Sequence, residues 1–258
     1  MEKVRLDALL VTRGLVDTRT RARQAIIEGK IAVDGEVQLR PGVRVDPGAL
    51  ISVVSPLMHY VSRGALKLQA ALDGFGIAVA GRVALDVGAS TGGFTQLLLE
   101  RGAARVYAVD VGRGQLHDIL RSDPRVVAME DTDIRQLRAE VLSPRPSLVT
   151  VDVSFISLRL VLPSICRLAR DGSDVVALVK PQFEVGPGGV GKGGIVRDPK
   201  RREDAVEQVL AAAESLGYAV RGRLDSPIRG GDGNQEYLVH LVSPMCGERG
   251  DEGRESER

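Results

Sequence analysis

Three aspartates and a lysine stand where apolar runs end. Val83-Ala84-Leu85-Asp86-Val87 reads as a buried strand, Arg105–Val109 ends in Asp110, Leu148–Val151 ends in Asp152, and Asp174–Val179 ends in Lys180-Pro181-Gln182-Phe183-Glu184. In an open α/β sheet the residues at the carboxyl ends of strands face the ligand crevice, so Asp86, Asp110, Asp152 and Lys180 are expected around one cleft. A lysine after a run of Val, Ala and Leu is unusual, because burying its charge is costly unless it is paired or neutralised. The first of these strands runs into Gly88-Ala89-Ser90-Thr91-Gly92-Gly93-Phe94 and a helix through Arg101. A glycine-rich turn from strand to helix lets backbone approach a ligand and aims helix N–H groups at it. Asp110, at the tip of the second strand, can accept hydrogen bonds from both hydroxyls of a ribose.

The glycine spacing separates two cofactor classes. Dinucleotide enzymes require G-x-G-x-x-G, which fails here because three residues separate Gly88 from Gly92-Gly93. The arrangement Asp86-x-Gly88-x-x-x-Gly92-Gly93 fits S-adenosylmethionine, which has no pyrophosphate and needs room for a methionine moiety. The expected cofactor contacts are Asp86, Gly88, Ala89, Ser90, Gly92, Gly93, Phe94, Asp110 and Asp133. Asp133 follows a third strand, Val126–Met129, where a carboxylate can either bind an adenine amino group or cap a helix. The segment Gly186–Gly193 nearly spells a P-loop, but Gly193 replaces the Ser or Thr that binds magnesium. Residues 185–197 read as a loop over the substrate cleft or a plain connection, with Lys192 and Arg197 available to phosphates.

These elements need a body to hold them. The chain has 258 residues, 43% of them hydrophobic, enough for a real core. Lys and Arg number 35 against 34 Asp and Glu, which excludes a polybasic protein but not a local basic patch. Four Phe, four Tyr and no Trp argue against recognition by extensive base stacking. Cys166 and Cys246 form no Cys-x-x-Cys pair and the three histidines are scattered, so no metal site is expected. No apolar run is long enough to span a bilayer, and the charged start Met1–Asp7 is unlike a secretory signal, so a cytoplasmic protein is expected.

The first zone has a different texture. Leu6, Leu9 and Leu10 lie at helical spacing and Gly14 ends that helix. Thr18 can cap a second helix through Ile27, with Arg19 and Arg23 four apart on one face. Ile31–Val33 reads as a strand with a hairpin signal at Asp34-Gly35, and Pro-Gly pairs punctuate two more strands at 43–45 and 50–54. Arg5, Arg19, Arg21, Arg23 and Lys30, with Arg63 and Lys192 further on, are the candidate RNA contacts, because RNA helices are read largely by shape and backbone. The competing reading is a solvated helix face with ion pairs to Asp17 and Glu28.

The stretch Thr18–Gly35 resembles the RNA-binding domain named after the fourth protein of the small ribosomal subunit. The segments Val61-Ser62-Arg63-Gly64, Asp86–Phe94, Asp152–Ser157, Lys180–Glu184 and Asn234-Gln235-Glu236-Tyr237 resemble the FtsJ-like ribose 2′-O-methyltransferases, with Lys67, Asp152, Lys180 and Glu236 in the family's Lys-Asp-Lys-Glu order. The two together are similar to the TlyA family of rRNA methyltransferases, also known as hemolysins.

The resemblance implies an α/β fold: a Rossmann-like, S-adenosylmethionine-dependent methyltransferase domain with a seven-stranded, mostly parallel sheet over residues 61–243. It is preceded by a small α+β RNA-binding domain at 1–60; residues 244–258, with three Arg against five acids and almost nothing apolar, read from composition as a disordered polar tail. It implies Lys180 as base or hydroxyl orienter, Asp152 holding it, and Lys67 and Glu236 fixing the target ribose. The proton balance of such a set belongs to all four groups jointly. The implied partner is ribosomal RNA or a ribosomal subunit, with a monomeric enzyme favoured. The resemblance implies cytidine in large-subunit rRNA as the target, and in some members small-subunit rRNA too; the junction Met58-His59-Tyr60-Val61, which lacks the Arg and Trp of dual-target members, speaks against the small subunit. The rivals are a pore-forming hemolysin and a non-catalytic RNA-binding protein. A base methyltransferase would want a nucleophilic cysteine or an Asn/Asp-Pro-Pro-Tyr/Phe motif, and neither is found.

Overall fold

A computed structural model of the chain describes residues 3–54, 60–186, 188–191 and 193–245. Lys192, most of the polar tail and the Met58-His59 part of the junction lie outside them. Contacts divide the chain into two units, Met1–Val61 and Ser62–Arg258.

In the first unit, strand β1 (Val4–Arg5) leads directly into helix α1 (Leu6–Thr12), which buries Leu6, Leu9 and Leu10 and stops before Gly14 at φ +67°. Helix α2 (Arg19–Ile27) starts at Thr18, whose hydroxyl accepts a hydrogen bond from the Arg21 amide at 3.3 Å. Ala22, Ala25 and Ile26 pack against the leucines of α1. Strands β2 (Ile31–Val33) and β3 (Glu36–Val37) form the expected hairpin. Asp34 and Gly35 both have positive φ, as a tight two-residue turn of this hand requires. Strand β4 (Arg44–Val45) pairs with β1, and β5 (Ile51–Val53) with β2.

The second unit opens with helix α3 (Gly64–Phe75), closed by Gly76 in the left-handed region. The chain then runs β6 (Val83–Val87), α4 (Gly93–Glu100), β7 (Arg105–Val109), α5 (Asp118–Arg121), β8 (Val126–Met129) and β9 (Leu148–Val151). Helix α6 (Leu162–Leu168), β10 (Asp174–Val179), α7 (Pro181–Glu184), α8 (Pro199–Ser215), β11 (Ala219–Asp225) and β12 (Tyr237–Val242) complete it. The seven strands lie in the order β11-β12-β10-β9-β6-β7-β8. Strands β10, β9, β6, β7 and β8 are parallel, and β12 runs against both β10 and β11.

From β6 the chain builds outward through β7 and β8, then returns to the other side of β6 for β9 and β10. The order therefore reverses between β6 and β9, where open α/β sheets hold their ligands. Val87 pairs with Val151 across that junction, so Gly88 and Asp152 leave the sheet side by side. The core beneath it includes Leu85, Val149, Val151, Val175, Ala177 and Val239, all at most 0–1% exposed.

Candidate active site

Two cavities open at this switch point. The larger, about 760 Å³, is walled by the turns after β6, β7, β8 and β9, with Asp110, Val111, Ile134 and Phe155 among its lining residues. The smaller, about 450 Å³, lies between the start of α3 and the turn before α4, and includes Arg63, Lys67, Phe94 and Arg229. Gly88, Ser90 and Asp152 line both.

The four residues of the expected catalytic set form two pairs. Lys67, on α3, donates from Nζ to Glu236 Oε2 at 2.5 Å, and both residues are buried. Lys180, one residue past β10, has its Nζ 2.6 Å from Asp152 Oδ1 and donates to Ser154 Oγ at 2.8 Å. Asp152 and Lys67 both face the smaller cavity. Asp152 Oδ1 is shielded from solvent, and Lys180 Nζ is the group that meets it. The Asp152 carboxylate sits where the two cavities meet and holds Lys180 beside that junction. Ser154 was not expected from sequence; its only signal is its place two residues beyond Asp152 on the same turn. Glu236 is crowded from behind by Gly230, where a Cβ would strike Oε1. Nothing local in the sequence announces that contact.

The glycine turn is built as a cradle. Gly88 has φ +83° and a Cβ on it would run into the Asp152 carbonyl, so only glycine lets the two turns approach this closely. Ser90 also has positive φ, and its amide donates to Asp110 Oδ2 at 2.7 Å while the Gly112 amide donates to Oδ1 at 2.7 Å. The Asp110 carboxylate is thereby aimed into the larger cavity with lone pairs remaining for ribose hydroxyls. Ala89, Gly93 and Phe94 line the smaller cavity.

Three expected cofactor contacts differ in the structure. Gly92 lines neither cavity; a Cβ there would hit Leu116 and Leu120, so its role is to let the segment around α5 pack. Asp133 borders the larger cavity, but its carboxylate accepts from the Arg135 amide at 2.9 Å and from the Arg135 side chain at 2.6 Å. It acts as the cap of its own turn, and Arg135 holds its pKa below the usual range.

Asp86 is completely buried and reaches neither cavity. Thr95 donates to its Oδ2 at 2.7 Å and Thr150 to its Oδ1 at 3.0 Å, tying the start of α4 and strand β9 to β6. It supports the site from below. Burial raises its pKa to about 7, against the two threonine hydrogen bonds that lower it. The folded state therefore keeps a proton that the unfolded chain releases near pH 4. Stability from this group is full below that point and falls as pH rises toward 7. Asp86→Asn is expected to remove the loss, by up to about 4 kcal/mol at pH 8, and to change little near pH 4. Urea unfolding of both proteins across this range checks it; parallel pH profiles would refute it.

The cations of the first unit are more engaged than the sequence reading expects. Arg21 pairs with Asp17 at 2.6 Å and Lys30 with Glu28 at 2.8 Å, which is the alternative weighed above. Arg5 and Arg19 both reach Asp7. Arg23 is exposed, and Arg63, also exposed, stands at the rim of the smaller cavity together with Arg229, which the sequence reading did not single out. Of the loop at 185–197, residues 194 and 196 are tied down by buried Asn234, which accepts from the Val196 amide and donates to the Gly194 carbonyl. Phe155 is 92% exposed, has φ +63° and packs beside Phe183 at the edge of the larger cavity.

A seven-stranded sheet with one antiparallel strand, a glycine cradle and an acid at the tip of the second strand defines a Rossmann-like, S-adenosylmethionine-dependent methyltransferase. The structure of an S-adenosylmethionine dependent methyltransferase from Mesorhizobium loti shares this fold, with a TM-score of 0.51 at 17% identity over 69% of this chain and 98% of that one. The chain belongs to the FtsJ-like methyltransferase family, whose model matches residues 60–243, and an S4 domain matches residues 4–51. It is 50% identical to the 16S/23S rRNA (cytidine-2′-O)-methyltransferase TlyA of Mycobacterium tuberculosis over 93% of this chain and 90% of that protein. It is 38% identical to the 23S rRNA (cytidine-2′-O)-methyltransferase TlyA of Campylobacter jejuni over 80% of this chain and 77% of that protein.

The larger cavity suits the cofactor of this fold: Asp110 for ribose hydroxyls, apolar Val111 and Ile134 for a base, and the Gly88 backbone for close approach. No helix among the described residues is long and apolar enough to cross a membrane.

Proposed function

We propose that the protein methylates the 2′-hydroxyl of a ribose, that of a cytidine in ribosomal RNA, with the large subunit as the principal substrate, and that it does so as a cytoplasmic enzyme. The observation that carries this reading is the Lys180–Asp152 ion pair at 2.6 Å, whose carboxylate stands between a cofactor-sized cavity and a smaller one walled by Lys67 and bordered by arginines. A 2′-hydroxyl entering the smaller cavity meets Lys67 and the Asp152 carboxylate that holds Lys180.

The cofactor supplies an electrophilic methyl group on a sulfonium. Lys180, held by Asp152 and Ser154, orients the hydroxyl and, as the neutral amine, takes its proton when the oxygen attacks. The Lys67–Glu236 pair fixes the ribose, and Arg63 and Arg229 stand where adjoining phosphates enter. Most of the acceleration comes from alignment, because the nucleophile is weak and the reacting groups must lie in line. The twofold pairing of lysine with carboxylate, one pair buried and the other partly so, supports a catalytic site over a purely RNA-binding protein, since withdrawing paired charges from water is a costly way to build an inert site.

Mass mapping of ribosomal RNA after incubation with isotopically labelled cofactor tests the proposal. A single ribose-methylated cytidine in the large-subunit RNA is expected. A mark on a base, or none on either subunit, would overturn it.

A further inference from the structure

We propose that Asp7 is a positioning residue, a buried carboxylate that sets Arg5 and Arg19 as a fixed two-guanidinium grip for an RNA backbone. The inference rests on the RNA-binding reading of the first unit and adds to it the group that makes the grip rigid.

Asp7 lies in the first turn of α1 with its side chain 0% exposed. Arg5 reaches it edge-on, Nε to Oδ1 at 3.0 Å and Nη2 to Oδ2 at 2.8 Å. Arg19, the first residue of α2, donates from Nη2 to Oδ2 at 3.2 Å. The Arg5 guanidinium also lies against Gly42, where a Cβ would come within 3.1 Å of Nη1. One carboxylate thus collects two cations from separate elements and keeps them at fixed positions. The two cations hold the Asp7 pKa down to about 2, so it remains charged throughout the physiological range.

The charge balance separates this cluster from its neighbours. Arg21 meets the Asp17 carboxylate and Lys30 meets the Glu28 carboxylate. The Asp7 cluster has two positive groups for one negative and retains a net positive charge. Its arginines are still 47% and 58% exposed. A guanidinium carries five N–H donors; Arg5 spends two on Asp7 and Arg19 fewer, so the outward edges can meet phosphate oxygens. A preset fork loses less freedom on binding than two mobile side chains, and that difference appears as affinity.

The test sets placement against charge. Asp7→Asn raises the net charge by one, so an account based on charge alone requires tighter binding to RNA. Placement requires the opposite: affinity of the full-length protein for transcribed large-subunit rRNA is expected to fall roughly five- to tenfold, with the salt slope shallower by about one. Filter binding over a salt series measures both, with thermal melting to confirm folding. Arg19→Lys, at an exposed position, keeps the charge and removes the planar fork, and is expected to weaken binding in the same direction. It decides the matter if Asp7→Asn does not fold.

Should wild-type protein show no salt-dependent binding, the RNA-binding reading falls and the grip with it. Should wild-type protein bind with a steep salt slope while Asp7→Asn and Arg19→Lys bind equally well or better, the grip alone is overturned.

Discussion

Lys180→Ala is expected to lower methyl transfer to ribosomal RNA by about 10²–10⁴-fold while leaving cofactor affinity nearly unchanged. The separation of the two effects follows from where the side chain sits. Lys180 does not line the larger cavity, and its Nζ contacts Asp152 and Ser154 beyond the end of the sheet. Removing it takes away the group that receives or orients the hydroxyl proton, and leaves the Gly88 cradle and Asp110 as they were.

It also strands Asp152, which is largely shielded and has no other cation on the same oxygen. Lys180→Met, which keeps the length of the side chain, is expected to lose as much activity as alanine. If methionine instead restored transfer, packing would be the explanation and the ammonium would have no chemical role. Single-turnover transfer with radiolabelled cofactor, beside calorimetric binding of the same cofactor, separates these outcomes. Transfer at the wild-type rate in either variant would end the proposed mechanism.

Much of this site was legible because strands of a parallel sheet are continuous apolar runs, and the first polar residue after each marks the crevice. That rule placed Asp110, Asp152 and Lys180 correctly around one region, and the strands at 105–109, 126–129, 148–151 and 174–179 have the expected bounds. The same rule misplaced Asp86. It lies within its strand, one residue before the end, and points down among Thr95 and Thr150 instead of out into the crevice.

What escaped the sequence depends on contacts between distant segments. Strand β11, Ala219–Asp225, mixes three apolar with three charged residues and contains a glycine, so it offered no apolar run. The clamp of Gly92 on Leu116 and Leu120, the pressure of Gly230 on Glu236, and the convergence of Arg5 and Arg19 on Asp7 each join residues that no local spacing relates. The arginines of α2 could be listed as phosphate donors from sequence, but how many are spent on partners could be seen only after folding.

The glycine turn gives the second large effect, and it distinguishes two glycines that the sequence motif treats alike. Gly88→Ala is expected to cost about 2–5 kcal/mol of stability, the sum of a left-handed alanine and a steric conflict in a packed junction. At φ +83° the new Cβ would meet backbone on the neighbouring turn: the Asp152 carbonyl carbon at 2.9 Å and the Val153 amide nitrogen at 3.3 Å. Neither turn can yield easily, because the Gly88 amide is bonded to the Val109 carbonyl at 2.8 Å and the Asp152 amide to the Val87 carbonyl at 2.9 Å.

The conflict must therefore move Asp152 relative to the cofactor cavity, and with it Lys180. Displacement of reacting groups by about 1 Å costs about 10²-fold in rate, so transfer should fall at least that far, with cofactor affinity down about tenfold or more. Gly92→Ala also has an unfavourable φ of +97°, but its Cβ meets the ends of the Leu116 and Leu120 side chains, which can rotate aside. It should lower stability while retaining most of the cofactor affinity. Denaturation and cofactor titration of the two variants decide whether the turn works by close backbone approach. Equal losses of affinity in both would show that the motif acts only through general packing, and full activity in Gly88→Ala would show that the spacing between Gly88 and Asp152 does not control the chemistry.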